Sequence, residues 1–316
     1  MRAMNKKQII ASAPTRIDFV GGWTDVQPFC NDDAGLVINA AFGVRARVVV
    51  RETANAVEHA DKFVEAACKR FGLENVQVEL RSDAPIGSGL GGSGAVGVAL
   101  VGALAAYAEK NLPRREIAEL AHRIELEDLG ILGGKQDQYA AAFGGFLVLT
   151  FLGDAVEIEQ IELDEERVKE LHARSVVVFT GQARVSGNIH AHVQDAFKHG
   201  NVETFNALAT IRRVAREFRV ALQTGSLNAL GELLNENWDA QRRLHPSTTN
   251  ERVEEFFRAA KHAGALGGKA LGAGGGGCLY FLAREGETIS LQNALCDAGG
   301  QILDARFDLA GLQIES

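Results

Sequence analysis

The stretch Arg81 to Ala95 reads Arg-Ser-Asp-Ala-Pro85-Ile-Gly87-Ser-Gly89-Leu90-Gly91-Gly92-Ser93-Gly94-Ala95. It lies between an alternating run, Val76, Val78 and Leu80, and a long alanine-rich run, so a strand, a glycine loop and a helix start follow one another. Glycine lacks a Cβ and lets backbone N–H groups close on an anion, while the helix N-terminus adds partial positive charge. The loop is thus a candidate phosphate cradle; alone, it reads equally as a tight turn with a small-residue helix packed behind it. A Walker A loop needs Gly-Lys-Ser/Thr, whereas Gly92 is followed by Ser93. A dinucleotide fingerprint fits formally at Gly87, Gly89 and Gly92, but it needs a second strand ending in an acid about 20 residues on. Here Gly94 to Ala108 continues as helix, and Glu109 precedes Lys110-Asn111-Leu112-Pro113, a helix stop.

Two further segments concentrate glycine and charge. Gln8 to Ala13 opens a strand that leads into Ala13-Pro14-Thr15-Arg16-Ile17-Asp18-Phe19-Val20-Gly21-Gly22-Trp23-Thr24-Asp25. Arg16 and Asp18 read as a paired couple and Trp23 as core, or all three belong to a site. Near the other end, Gly274 to Gly277 interrupt two apolar strand-like flanks from Lys269 to Leu282, a run too costly in ordering entropy to serve core packing.

The remaining periodicities predict strands at Leu36 to Phe42, Val44 to Arg51 and Ser175 to Phe179, and a hairpin over Gly145 to Leu163 turning at Gly153-Asp154. Helices are expected at about Asp61 to Phe71, Gly94 to Glu109, Arg114 to Asp128, Val185 to Lys198, Val202 to Leu222, Leu227 to Leu244, Asn250 to Ala263 and Thr288 to Ala298, with a last strand at Gln301 to Leu309. This is an α+β pattern, with a domain boundary near residue 174.

Pro85, Gly89, Leu90, Ser93, Gly94 and Ala95 together resemble the second motif of the galactokinase, homoserine kinase, mevalonate kinase and phosphomevalonate kinase (GHMP) superfamily. Arg16 to Asp25 resembles its first motif, with Gly22 and Trp23 where galactokinases carry Glu and His, a form similar to L-fucokinases and heptose-phosphate kinases. Lys269 to Leu282 resembles the third, and the three occur in family order. The resemblance implies a ribosomal S5 domain 2-like ATP-binding half over residues 1–174 and a ferredoxin-like half over 175–316. It implies that Pro85, Gly87, Gly89, Leu90, Gly91, Gly92, Ser93, Gly94 and Ala95 hold ATP phosphates, that Ser93 and Glu125 bind Mg²⁺, and that Asp137 acts on the acceptor hydroxyl with Arg16 beside it. Glu125 and Asp137 stand in the family layout, the aspartate in the first turn of a helix after Gly133-Gly134. Thr24, Asp25, Trp23, Arg184, Gly274 and Gly275 are the implied substrate contacts, and Arg184 with Lys135 are candidate partners for a phosphate already on the acceptor.

The implied activity is ATP-dependent phosphorylation of a sugar hydroxyl, the anomeric one of a heptose 7-phosphate-like or fucose-like sugar. A mevalonate-type kinase, a non-catalytic sugar-responsive regulator on the same fold and a nicotinamide enzyme are the alternatives. The second strand a nicotinamide enzyme needs is missing, and Ser93, Glu125 and Asp137 are intact against the regulator. A net charge of −8 without a Lys/Arg block argues against nucleic acid or an anionic membrane as partner. No apolar segment has the form of a leader or a span, so a cytoplasmic monomer or homodimer is expected. Cys30, Cys68, Cys278 and Cys296 form no close pair and read as reduced thiols; His190 and His192 read as surface residues.

Overall fold

The computed structural model describes residues 7–131, 133–183, 187–304 and 306–315. The first part of the chain runs β1 (Gln8–Val20), α1 (Phe29–Asp32), β2 (Gly35–Glu52), α2 (Lys62–Phe71), β3 (Val76–Ser82), α3 (Gly92–Tyr107), α4 (Arg114–Arg123), a π-helical turn (Ile124–Asp128), α5 (Gln136–Phe143), β4 (Phe146–Leu152) and β5 (Ala155–Ile161). The second runs α6 (Glu165–Arg174), β6 (Ser175–Phe179), α7 (Gly187–Lys198), α8 (Val202–Thr224), α9 (Leu227–Arg242), a 3₁₀ turn (Pro246–Thr248), α10 (Glu251–His262), β7 (Ala265–Ala270), β8 (Cys278–Ala283), α11 (Thr288–Asp297), β9 (Gln301–Leu303) and β10 (Gln313–Glu315).

The first sheet is antiparallel, in the order β10-β1-β2-β4-β5, with β3 also paired to β2. Its first strand is longer than the sequence suggests: Thr15 to Val20 continue the pairing with β2, itself one strand where two were expected. The register slips between Pro14 and Thr15, because Gly43 and Val44 of β2 have no opposite residue there. Across this irregularity the odd-numbered residues of β1 pass from one core to the other. Ile9, Ala11 and Ala13 accordingly pack into one core, and Ile17 and Phe19 into another. Arg16 and Asp18 fall in the alternate set, and both reach the cavity described below.

The first core is centred on α3, whose residues from Val98 to Ala105 are all buried. A helix apolar all round must lie inside the protein, and its glycines permit the close contacts. A Cβ on Gly97 would come within 2.7 Å of Phe63, and one on Gly102 within 2.9 Å of Leu312.

The second sheet, β7-β8-β6-β9, is antiparallel and carries α9 close against β7. A Cβ on Gly267 would fall 1.9 Å from the carbonyl oxygen of Gly231, so glycine in β7 is what lets helix and strand approach. Between the two sheets Phe19, Phe146, Phe218, Tyr280 and Phe307 form an aromatic cluster. The strand expected over Gln301 to Leu309 stops at Leu303. Beyond it Phe307 bridges to Phe42, Asp308 bonds Ala41 and Gly145, and β10 then pairs with β1. Burial of Phe307 against Phe146, centroids 4.9 Å apart, draws this segment from the second sheet to the first. Among the described residues no helix is long and apolar enough to cross a membrane.

Candidate active site

The glycine loop leaves β3 and enters α3 through three left-handed glycines, Gly87 (φ 70°), Gly89 (φ 80°) and Gly91 (φ 73°). Gly91 is the N-cap of α3, and no side chain caps that helix end. Its first N–H groups are therefore available to an anion, as the sequence suggests. Leu90 anchors the loop by its fully buried side chain, whereas Ser93 is exposed at the helix start.

Three segments meet over this loop. Arg16 of β1 donates from its main chain to the Leu90 carbonyl at 2.9 Å and from its guanidinium to the Gly89 carbonyl. The same guanidinium meets Asp137 Oδ1 through Nε at 2.9 Å and Nη2 at 2.8 Å. Asp137, in the first turn of α5, lies directly against the loop. A Cβ on Gly91 would stand 2.8 Å from the Asp137 carboxyl carbon, and one on Gly94 would stand 2.7 Å from its Cβ. Glycine at 91 and 94 is thus the space that Asp137 occupies.

Glu125 is carried by the π-helical turn at the end of α4 and is buried. An extra residue in the turn rotates the following side chains, a common device at functional sites. Gln138 donates to its carboxylate, and Ser93 makes a second side-chain hydrogen bond to it. Desolvation, then the nearby charge of Asp137, push its carboxyl up to about 7, while the bonds from Ser93 and Gln138 pull the other way. Asp25 is pushed up to about 7 as well, by burial first and then by Asp137 and Asp18. Such a concentration of buried carboxyls favours a cation, and Glu125 with the Ser93 hydroxyl is a donor set that suits Mg²⁺, which usually keeps waters and takes its remaining ligands from phosphates. No cluster of three or more His, Cys, Asp or Glu side chains able to hold a metal alone occurs among the described residues.

These groups line a cavity of about 430 Å³ together with Asp18, Gly22, Trp23, His122 and His190. Thr24 does not line it: its hydroxyl donates to the Gly21 carbonyl at 2.7 Å and accepts from the Leu36 N–H at 2.9 Å, fixing the turn that presents Trp23 and Asp25. Gly134 makes room for Asp25, since a Cβ there would lie 1.8 Å from Asp25 Oδ2. The third glycine run reaches the cavity through Gly272 and Ala273. Gly274 and Gly275, expected as substrate contacts, are not among the residues lining the cavity and stand against Thr248 and Ser247. Arg184 lies outside the described residues. Lys135 lies in an adjoining cleft of about 520 Å³ and is bound to Asp154 through the carbonyl at 3.1 Å.

Sequence reasoning missed several members of the cavity. His190 is not a free surface residue: it packs on Trp23, ring centroids 4.6 Å apart. His122 faces the cavity from α4, and burial pushes its imidazole down to about 4. For Asp18 the sequence offers either a couple with Arg16 or a place in a site; its ion-pair partner is the fully buried Lys269, 2.8 Å away on β7. A lone lysine in an otherwise apolar strand was the available signal.

Residues 55–145 match the family model described as GHMP kinases N terminal domain, and residues 218–301 match GHMP kinases C terminal. The D-glycero-alpha-D-manno-heptose 7-phosphate kinase of Campylobacter jejuni is 29% identical, covering 97% of this chain and 98% of that protein. A mevalonate kinase of Pyrococcus horikoshii is 34% identical over 80% of this chain and 71% of its own. Among solved structures, a D-glycero-D-manno-heptose 1-phosphate kinase from Bacteroides thetaiotaomicron has a TM-score of 0.76 at 26% identity, covering 98% of this chain and 99% of that one.

Proposed function

The chain belongs to the GHMP kinases, and from that premise we propose that it transfers the γ-phosphate of ATP to the anomeric hydroxyl of a sugar, with a heptose 7-phosphate as the first acceptor to test. The observation that carries this reading is the placement of Asp137 over the uncapped N-terminus of α3, with Arg16 tying it to the loop. Phosphoryl transfer is largely positioning and charge neutralisation, and these residues supply both.

In this reading the loop from Pro85 to Ala95 receives the β- and γ-phosphates on its N–H groups. Glu125 and Ser93 would hold Mg²⁺, which when bound neutralises phosphate charge. Asp137 Oδ2 accepts the proton of the acceptor hydroxyl or aims its lone pair, while Oδ1 stays on Arg16. The guanidinium of Arg16 keeps a positive charge beside the transferring group. Asp25 takes a hydroxyl of the acceptor. Residues 1–174 and 175–316 are the two functional halves, the first binding ATP.

Charge separates this reading from a mevalonate-type kinase. Among the described residues lining the cavity, Arg16 is the one arginine or lysine, and Asp137 engages it. A substrate carboxylate would meet Asp18, Asp25, Glu125 and Asp137 without a cation of its own, at a cost like charges impose. The same reasoning sends a distal sugar phosphate out of the cavity, toward Lys135 in the adjoining cleft. ATP turnover across D-glycero-D-manno-heptose 7-phosphate, L-fucose, D-galactose and mevalonate tests the proposal. Turnover of mevalonate alone overturns it.

A further inference from the structure

Lys269 and Asp18 form an ion pair with side-chain exposures of 0% and 1%. The ammonium donates to Asp18 Oδ2 at 2.8 Å and to the Asp18 carbonyl at 3.1 Å. Burying two charges is a poor way to stabilise a fold, since apolar residues of similar shape commonly do as well or better. The pair also leaves the other carboxylate oxygen, Oδ1, buried without a hydrogen-bond partner among the described residues.

Five residues along, Trp23 shows the complementary defect. It holds a left-handed backbone at φ 81°, which is costly for a bulky side chain, and its indole Nε1 is buried without a partner among the described residues. Both residues line the cavity that contains Asp137. Gly22 between them is what makes the arrangement possible, because a Cβ there would fall 2.2 Å from Asp18 Oδ2. Two more unpartnered buried acceptors, Gln136 Oε1 and Gln138 Oε1, belong to residues lining the same cavity. Buried polar groups left unpaired call for an explanation, and a ligand that completes them is one.

We propose that Asp18 is a specificity-determining residue that recognises a non-reacting hydroxyl of the acceptor, its Oδ1 accepting a hydrogen bond, beside Trp23, an already expected substrate contact, whose Nε1 donates one. The inference rests on the sugar-kinase reading and deepens it. Hydroxyls suit this site because each both donates and accepts. A carboxylate or phosphate dianion has no proton for Asp18, and an ammonium has no acceptor for the indole. The surplus of acceptors over donors in the set matches a ligand rich in O–H groups. Lys269 is then a positioning residue, holding Oδ2 and with it the orientation of the carboxylate.

The test uses the full chain and each sugar of the panel above that the parent phosphorylates. Trp23→Phe keeps the ring and removes only the N–H. Asp18→Leu alone strands Lys269 and can unfold the protein, so it is paired with Lys269→Met, which removes both charges and the accepting oxygen together. The expected result is an acceptor KM raised about ten- to a hundredfold in each, the range for a hydrogen bond to a charged or buried partner, with the ATP KM unmoved. A merely structural pair predicts that the neutral double variant recovers the parental acceptor KM. Parental acceptor KM in both Trp23→Phe and the double variant overturns the inference while leaving the kinase reading intact. A parent that turns over mevalonate and no sugar overturns both, and that outcome is visible before any variant is made.

Discussion

Arg16 approaches Asp137 through two nitrogens, Nε at 2.9 Å and Nη2 at 2.8 Å, and both meet the same oxygen, Oδ1. The other oxygen is turned to the glycine loop, 3.0 Å from where a Cβ of Gly91 would stand. One oxygen is thereby fixed by Arg16, and the second is left against the glycine loop.

Asp137→Asn keeps the shape and hydrogen-bonding capacity of the side chain and removes its charge. Turnover is expected to fall on the order of 10² or more, with ATP and sugar affinities close to parental. Equilibrium binding and single-turnover rates check this separately. Parental turnover by the variant would remove Asp137 from the reaction.

Gly94→Ala tests the fit between loop and carboxylate. Its backbone is helical, so alanine is tolerated there, but the new methyl would lie 2.7 Å from Asp137 Cβ. Displacing the carboxylate by about 1 Å should lower kcat by about 10² while α3 stays folded, as circular dichroism would show. A variant with parental kcat would mean that the contact plays no part in aiming Asp137.

Mg²⁺ dependence should vary with pH. Glu125 must be ionised to take a metal, and in the ligand-free protein its carboxyl is pushed up to about 7 by burial first and then by Asp137. The Mg²⁺ concentration giving half-maximal turnover is therefore expected to rise as pH falls below about 7, with proton release on binding. Glu125→Gln and Ser93→Ala should each raise the requirement, and Glu125→Gln should also flatten its pH dependence. If both variants titrate like the parent, neither is a ligand.

Stability should move with the same groups. Asp25 and Glu125 hold protons in the folded state up to about 7, against ordinary values of 3.8 and 4.5. Between those limits the unfolded chain binds fewer protons than the folded one, so stability present at low pH declines as pH rises and levels off above about 7. Glu125→Gln should accordingly raise the Tm of the ligand-free protein more at pH ~8 than at pH ~4.5. An equal gain at both would show that the carboxyl is not strained by its site.

Much of this was legible in the sequence because glycine requirements are local. The left-handed turns at Gly87, Gly89 and Gly91 leave a pattern that needs no tertiary knowledge, and Ser175 to Phe179 was readable as a strand from its apolar run. Arg16, Asp18 and Trp23 stood out as a cluster, but their assignment depended on distant partners. Nothing near Asp18 announces Lys269, 251 residues away. The two cores served by β1 could not be read either, since its odd-numbered residues pass from one to the other where Gly43 and Val44 bulge from the neighbouring strand. Gly274 and Gly275 looked like substrate contacts because the run is conspicuous, yet which glycine of a run meets a cavity depends on the backbone rotation at each. Residues 313–315 were missed as a strand because three polar or apolar residues in sequence carry no periodicity; only the open edge of β1 makes them one.

That edge has a consequence for how the protein is made. Synthesis proceeds from the N-terminus, so β1, the strand that carries Arg16, is complete long before Ile314 can lie beside Ala11. Until then the strand exposes unpaired backbone groups to any neighbour able to add to it. The late arrival of β10, with Leu312 closing over Gly102 of the central helix, seals the edge and the core beneath it in one event. A chain interrupted after residue 174 would keep every proposed phosphate and metal ligand and still be left open along its first strand. Closure of the first sheet therefore depends on residues 313–315, far along the chain from the strand they cover.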